Sequence, residues 1–453
     1  MDLNYLARRK TIDRQPYFWW GLGLMIVKYN LDRIIAWVGF QRSWYFWNYI
    51  KPHEYAPVQT IPAVEQSFYF LLLLTSLPFL VAGLLLTVWR LRSASLPLAW
   101  CIVFFVPVLN LIFFILLSAI PAADTSAKQT SSFSTKWLPT SKAGSATLST
   151  VIVGFLGSVF ATFSSNYLGN YGWGLFVALP FVMGLFSVLI YAGANQRSFR
   201  SCMLVAILPI FFSGLILLAM AVEGLVCLAM AAPIALVLAL LGGAIGYLIV
   251  PRYPVGIDPV AMILLLFSVP FLMGMEKEAD VSPPVFSVSS HVVVNSPIEK
   301  VWSNVIAFSP ISEKREWILQ TGVAYPIQAK IEGHGVGAIR HCIFNTGEFV
   351  EPIEVWDEPH LLRFSVSKQP EPMQELSPYR NIKPPHLNGY LHSRRGEFKL
   401  TEMSPNKTLL EGTTWYTDQM WPDFYWQLWS DTMIHRIHLR VLNHIKNLCE
   451  HAA

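Results

Sequence analysis

The chain has 453 residues, of which 53% are hydrophobic and only 14% charged, against about 25% charged in ordinary soluble chains. Residues 1–275 carry 16 Lys/Arg and 8 Asp/Glu, whereas residues 276–453 carry 17 and 21, together with ten of the 11 histidines. A single soluble globule is excluded, and so is a secreted disulfide scaffold, because three of the five cysteines (Cys101, Cys202, Cys227) sit in apolar runs.

The first sixteen residues are polar and basic, and no small-x-small cleavage site follows, so no cleaved signal peptide is expected. Eight stretches have the length and apolarity of a spanning helix: 17–38, 67–89, 97–119, 148–168, 172–192, 202–221, 224–249 and 257–275. Lys28 and Asp32 lie four apart in the first and can pair on one face, so this stretch reads either as a span or as an interfacial helix. Glu223 and Gly224 mark a turn in the run 203–250, which is too long for one pass. Pro78, Pro107, Pro180, Pro209, Pro233 and Pro270 lie near the middle of six stretches. Such prolines fit a hinged transport path, but they are also common in plain membrane helices. Gly242 and Gly246 form a small-xxx-small pair suited to close packing. The Ser/Thr/Ala-rich segment 121–147 reads as a flexible linker between helix groups 1–120 and 148–275. The basic cluster before the first helix favours a cytoplasmic N-terminus, and eight passes return the C-terminal domain to that side.

Residues 282–453 read as one domain. The expected order is a strand at 285–294, a helix from Pro297 to about 308, and a short helix at 310–319. Strands follow at 326–332, 337–345, 347–356, 360–367, 389–401 and 407–417. A long helix then runs from Pro422 to about His451, with an apolar stripe of Ile434, Ile437, Val441, Ile445 and Leu448. Gly333, Gly335 and Gly337 fall between strands and open no helix, which favours a hairpin over a phosphate loop. A curved antiparallel sheet around one long helix leaves a pocket for an apolar ligand.

SHVVVNSPIEKVWSNVIAF, with Val292, Val294, Pro297, Val301 and Trp302 in place, resembles the opening of the SRPBCC superfamily. GHGVGAIRHCIFNTGEFVEPIEVWDEPHLLRFSV resembles that superfamily's hairpin region. The resemblance implies a START-like helix-grip fold of the polyketide cyclase/dehydrase-like and lipid-transfer kind. Residues 1–120, with RRKTIDRQPYFWW, KYNLDR and VWRLRSASLPLAW, resemble a bacterial inner-membrane family of unknown function. The expected fold class is therefore a polytopic α-helical membrane region of about eight helices, followed by an α+β helix-grip domain.

Arg340 alternates with Cys342 on one strand face, and can either bind an anionic head group or pair with Glu351 or Glu348. Tyr390, His392, Arg394 and Phe398 share a face by strict alternation, which makes His392 and Arg394 candidates to point inward. Trp415, Tyr416, Trp421, Tyr425, Trp426 and Trp429 crowd the start of the closing helix, as ligand stack, core or interfacial belt. Asp431, His435 and His438 share a helix face but read as core-edge or solvated groups, so no metal and no cofactor is expected. The ligand-binding candidates are Arg340, Glu351, Tyr390, His392, Arg394, Tyr416, Trp426 and His435. The proline-rich segment 369–389 is a candidate lid. The expected function is binding of a hydrophobic or amphipathic small molecule, possibly a lipid, at a membrane. The alternatives are a cyclase, dehydratase or hydrolase with His392, Arg394 or His435 as acid or base, and a transporter or sensor. Membrane and small-molecule partners are expected. Nucleic acid is not, given the acidic domain. Oligomeric state is left open.

Overall fold

The computed structural model describes residues 11–49, 63–96, 98–105, 109–120, 122, 139, 141–193, 195, 197–250, 259–278, 283–312, 316–379 and 382–451. The chain divides into two compact units. One comprises 1–216 and 231–281, the other 217–230 and 282–453.

The first unit is helical. Its helices, some running into the second unit, are α1 (Arg14–Ile34), α2 (Ala63–Ser93), α3 (Leu109–Ala119), α4 (Lys142–Thr162), α5 (Leu179–Ala192), α6 (Phe199–Ala219), α7 (Leu225–Ile249) and α8 (Pro259–Glu278). Among the described residues, five helical stretches are long and apolar enough to cross a membrane: Leu71–Ser93, Lys142–Leu168, Gly174–Ala192, Phe199–Ala219 and Leu225–Ile249. They correspond to five of the eight expected spans.

The expected span 97–119 is not one helix. A 3-10 segment, Leu98–Phe105, precedes the 11-residue α3. Most of the expected linker lies outside the described residues. Its last residues are helical, because Ser141 caps α4 by accepting from the Gly144 amide. Pro78, Pro209, Pro233 and Pro270 lie inside helices.

Lys28 and Asp32 pair as expected, and Tyr49 also donates to Asp32. Arg90 is fully buried and donates to the Leu117 and Ile120 carbonyls at the end of α3, where a cation complements the helix dipole. Glu276, expected at the water boundary, is 2% exposed and accepts from Asn170 and the Gly174 amide. A Cβ at Gly184 would overlap the Ala239 carbonyl, and one at Gly242 the Phe181 carbonyl, so these glycines set the close crossing of α5 and α7.

The second unit contains β1 (Val285–Val294), α9 (Ile298–Ile306), β2 (Pro326–Glu332), β3 (Ile339–Phe344), β4 (Gly347–Asp357), β5 (Leu361–Ser365), β6 (Leu391–Ser404), β7 (Lys407–Asp418) and α10 (Asp423–His451). The seven strands form one antiparallel sheet in the order β1-β7-β6-β5-β4-β3-β2. Gly333, Gly335 and Gly337 have φ of 87°, 78° and 90° in the β2–β3 turn, a backbone that disfavours side chains.

In α9, Ile298, Val301, Trp302 and Val305 are buried at helical spacing. They meet Val294, Leu362, Leu400 and Leu410 of the sheet and Leu442 and Ile445 of α10 in one core. This is the helix-grip fold: a curled antiparallel sheet holding a long C-terminal helix.

Candidate functional site

The sheet and α10 enclose a partly open cavity of about 120 Å³. Phe344, Phe349, Phe364 and Phe398 supply its aromatic wall, and Ile434, Ile437, Val441 and Leu442 its helical wall. Gly396 and Gly412 lie on neighbouring strands of the wall; the Phe364 ring packs over Gly396, whereas Gly412 leaves room. A Cβ at Gly412 would stand 3.6 Å from both Leu442 and Phe398, an ordinary contact, so an alanine fits and a longer chain must enter the cavity.

Arg340 and Glu351 are cross-strand partners on β3 and β4, and both line the cavity. They form a buried ion pair, so the pairing alternative holds for Arg340. Arg340 Nε donates to the Ile306 carbonyl at 3.2 Å. Its guanidinium lies 5.4–5.7 Å from the ring centres of Phe308, Phe364 and Phe398, within cation–π range. Burial pushes the Glu351 carboxyl up, against the pull of Arg340's charge. Burial also raises the neighbouring Cys342 thiol to about 12.

His438 is on the cavity wall. Its Nε2 is 2.7 Å from Thr414 Oγ1 and its Nδ1 is 3.1 Å from Ser290 Oγ. Burial, with a smaller contribution from His435, lowers its pKa to about 4. Sequence reading placed His438 at the core edge and passed over it as a ligand contact. The signal lay in its three-residue offset from His435, which turns it toward the sheet.

Among the other expected residues, His392 and Arg394 do not line the cavity. A β-bulge falls between Ser393 and Arg395, and one extra residue reverses the alternation. Ser393, Gly396 and Phe398 therefore line the cavity, while Arg394 is exposed and His392 Nδ1 meets the Ser393 carbonyl at 2.8 Å. His435 is exposed, 2.7 Å from Ser290 Oγ. Tyr416 is fully buried and donates to Asp431 at 2.5 Å, which takes Asp431 out of the His435 and His438 constellation. Trp426 is buried against Tyr425. Neither aromatic side chain lines the cavity.

The segment 369–389 supplies no lining residue. It is pinned to the domain by a bridge between Val323 and Met373 and by the Gln374 amide donating to the Gly322 carbonyl at 2.8 Å. It also brings His386 beside Glu223 and Cys227, a mixed cluster within the same unit that sequence reading did not connect. Burial raises Tyr390, and the nearby charge of Glu223 adds to this, which places Tyr390 near that cluster rather than on the cavity wall.

Neither a protein-family model nor a curated protein sequence matches the chain. Solved structures do. A truncated norcoclaurine synthase from Thalictrum flavum is 14% identical, with 38% of this chain and 98% of that one covered and a TM-score of 0.26. A protein of Nitrosospira multiformis is 18% identical over 37% and 98%, with a TM-score of 0.24. The Zhui aromatase/cyclase from Streptomyces sp. R1128 is 13% identical over 37% and 94%, with a TM-score of 0.24. The resemblance of residues 1–120 to a membrane family is supported by none of these comparisons. The helix-grip assignment rests on the strand order and register described above.

Proposed function

We propose that the C-terminal domain binds a small apolar molecule, or the apolar end of an amphipathic one such as a lipid, and that the apolar helices hold the domain at a membrane. The cavity carries this reading. It has four phenylalanines and five aliphatic side chains on its walls, with the buried ion pair of Arg340 and Glu351 among its polar lining. Its 120 Å³ is on the scale of apolar cavities of about 150 Å³ that take up benzene. It therefore suits a ring or a short alkyl segment rather than a whole lipid. A tether keeps the cavity close to ligand dissolved in the bilayer and raises its effective concentration.

The test is native mass spectrometry of the full chain released from detergent. Wild type is expected to carry a stoichiometric apolar adduct. Gly412→Leu, which fills the cavity, loses the adduct, and Gly412→Ala keeps it. An adduct unaffected by Gly412→Leu overturns the assignment of the site.

An enzyme in the same cavity is the second reading. The observation that favours it is the neutral imidazole of His438 on the wall, an acid–base group within reach of a bound molecule. Turnover that survives His438→Ala excludes it. The finer placement is a bacterial inner membrane with the domain on the cytoplasmic face. It rests on the basic cluster ahead of the first helix, and protease accessibility in sealed inverted vesicles checks it.

A further inference from the structure

A second constellation in the soluble unit shares no residue with the cavity. Cys227 lies in the first turn of α7, Glu223 in the turn just before it, and His386 in the 3-10 turn Pro385–Leu387. Cys227 Sγ is 2.8 Å from His386 Nε2, although the two residues are 159 apart in sequence. Glu223 Oε2 is 3.4 Å from the other ring nitrogen, Nδ1. The ligand atoms of these three residues all lie within 4.8 Å of one another.

Two further groups converge from the same stretch as His386. Glu375 Oε1 is 3.9 Å from His386 Nε2, and Met373 Sδ is 3.9 Å from Cys227 Sγ. The Glu375 side chain is 0% exposed. One of its oxygens accepts from the Val226 amide at 3.2 Å, whereas Oε1 accepts no hydrogen bond among the described residues. A fully buried carboxylate oxygen left this way is costly unless a cation or donor meets it.

We propose that this cluster is a transition-metal site of the zinc class, with Cys227 Sγ, His386 Nε2 and Glu375 Oε1 as ligands. The donor chemistry selects the ion. One thiolate and one imidazole disfavour Mg²⁺ and Ca²⁺, which take oxygen, and one sulfur, one nitrogen and one oxygen suit Zn²⁺. Charge agrees: a divalent ion offsets the thiolate and the Glu375 carboxylate in a buried place.

Glu223 converges on the same point. Its ligand oxygen lies within 4.8 Å of both Cys227 Sγ and the His386 ring nitrogen, so its carboxylate can complete the coordination. Tetrahedral bonds of about 2.3 Å to sulfur and 2.0 Å to nitrogen require a sulfur–nitrogen separation of about 3.5 Å. The present 2.8 Å opens to that value once the thiol proton is lost and the ion enters between the two atoms. Cys227, His386 and Glu375 leave one tetrahedral position, which the Glu223 carboxylate or a water takes.

The test uses the full chain in detergent, made without a histidine tag, stripped with chelator, and reloaded with Zn²⁺ or Co²⁺ alone. Elemental analysis is expected to give one metal per chain. The Co²⁺ form is expected to show a near-ultraviolet thiolate-to-cobalt charge-transfer band. Cys227→Ser and His386→Gln lose the stoichiometric metal. Glu223→Gln keeps the thiolate band but weakens affinity, because water then takes the fourth position. His435→Gln changes nothing. Wild-type protein without the thiolate band overturns the proposal whether or not the variants fold, and so does metal retained in Cys227→Ser.

Discussion

Glu351→Ala leaves the Arg340 guanidinium buried without its carboxylate, and breaking a buried pair in this way costs about 3–5 kcal/mol. The expected outcome is a large fall in the denaturation midpoint of the soluble unit. Arg340→Met with Glu351→Leu recovers most of it, because Phe308, Phe364 and Phe398 surround the guanidinium and can pack against apolar replacements. Trp302→Ala removes the largest fully buried side chain and is expected to cost about 3–5 kcal/mol, read in the same experiment. His438 gives a pH dependence. Its folded pKa of about 4 lies below the ordinary 6.5. Its contribution is therefore fully present above pH 6.5 and is lost as pH falls toward 4, by about 1.4 kcal/mol per unit. His438→Gln is expected to flatten the fall in melting temperature over that interval relative to wild type, and an unchanged slope counts against the burial of this imidazole. The pairing of Arg340 with Glu351 was among the readings open in the sequence, because a hairpin with a short turn sets residues opposite one another. The meeting of Cys227 with His386 was not, because only tertiary packing joins groups 159 residues apart.

At the scale of elements, periodicity located the seven strands and the helices α9 and α10 to within a few residues, whereas the helix expected at 310–319 is only a 3-10 turn at Trp317–Gln320. β1 largely follows alternation and α10 helical spacing. β6 does not. Its bulge at Arg394 carries no signature in side-chain chemistry, yet it exchanges the faces of every residue between it and the strand start. Deleting Arg394 is expected to turn His392 inward and Ser393 outward. The cost is buried polar surface, visible as a lower melting temperature and lost adduct binding. In the helical unit the crossing of α5 and α7 depends on Gly184 and Gly242, both against backbone carbonyls. Gly242→Val cannot be relieved by a rotamer change. It is expected to separate the helices and to lower thermal stability in detergent by at least the 1–3 kcal/mol typical of overpacking. The small-xxx-small spacing announced this contact. The 3-10 form of Leu98–Phe105 was less legible, since an apolar run looks the same in either kind of helix.

At the scale of the molecule, the soluble unit is not continuous in sequence, because it includes residues 217–230. The Leu225 amide donates to the Leu376 carbonyl at 2.8 Å, and the Tyr379 hydroxyl donates to the Ala219 carbonyl at 2.6 Å. A fragment 283–453 leaves those carbonyl and hydroxyl groups without these partners. It is expected to melt below the same unit in the full chain, by calorimetry in matched detergent. Sheet order adds a constraint in time. β1 pairs with β7, joining Ser289 to Thr413 across 124 residues. During synthesis β1 therefore has no strand to pair with until β7 has emerged, and the apolar concave face stays uncovered until α10 follows. Long-range closure of this kind is slow and leaves sticky surface in the waiting chain. The helices, by contrast, form from local bonds as they appear, so the early part of the chain can settle well before the late part has a core.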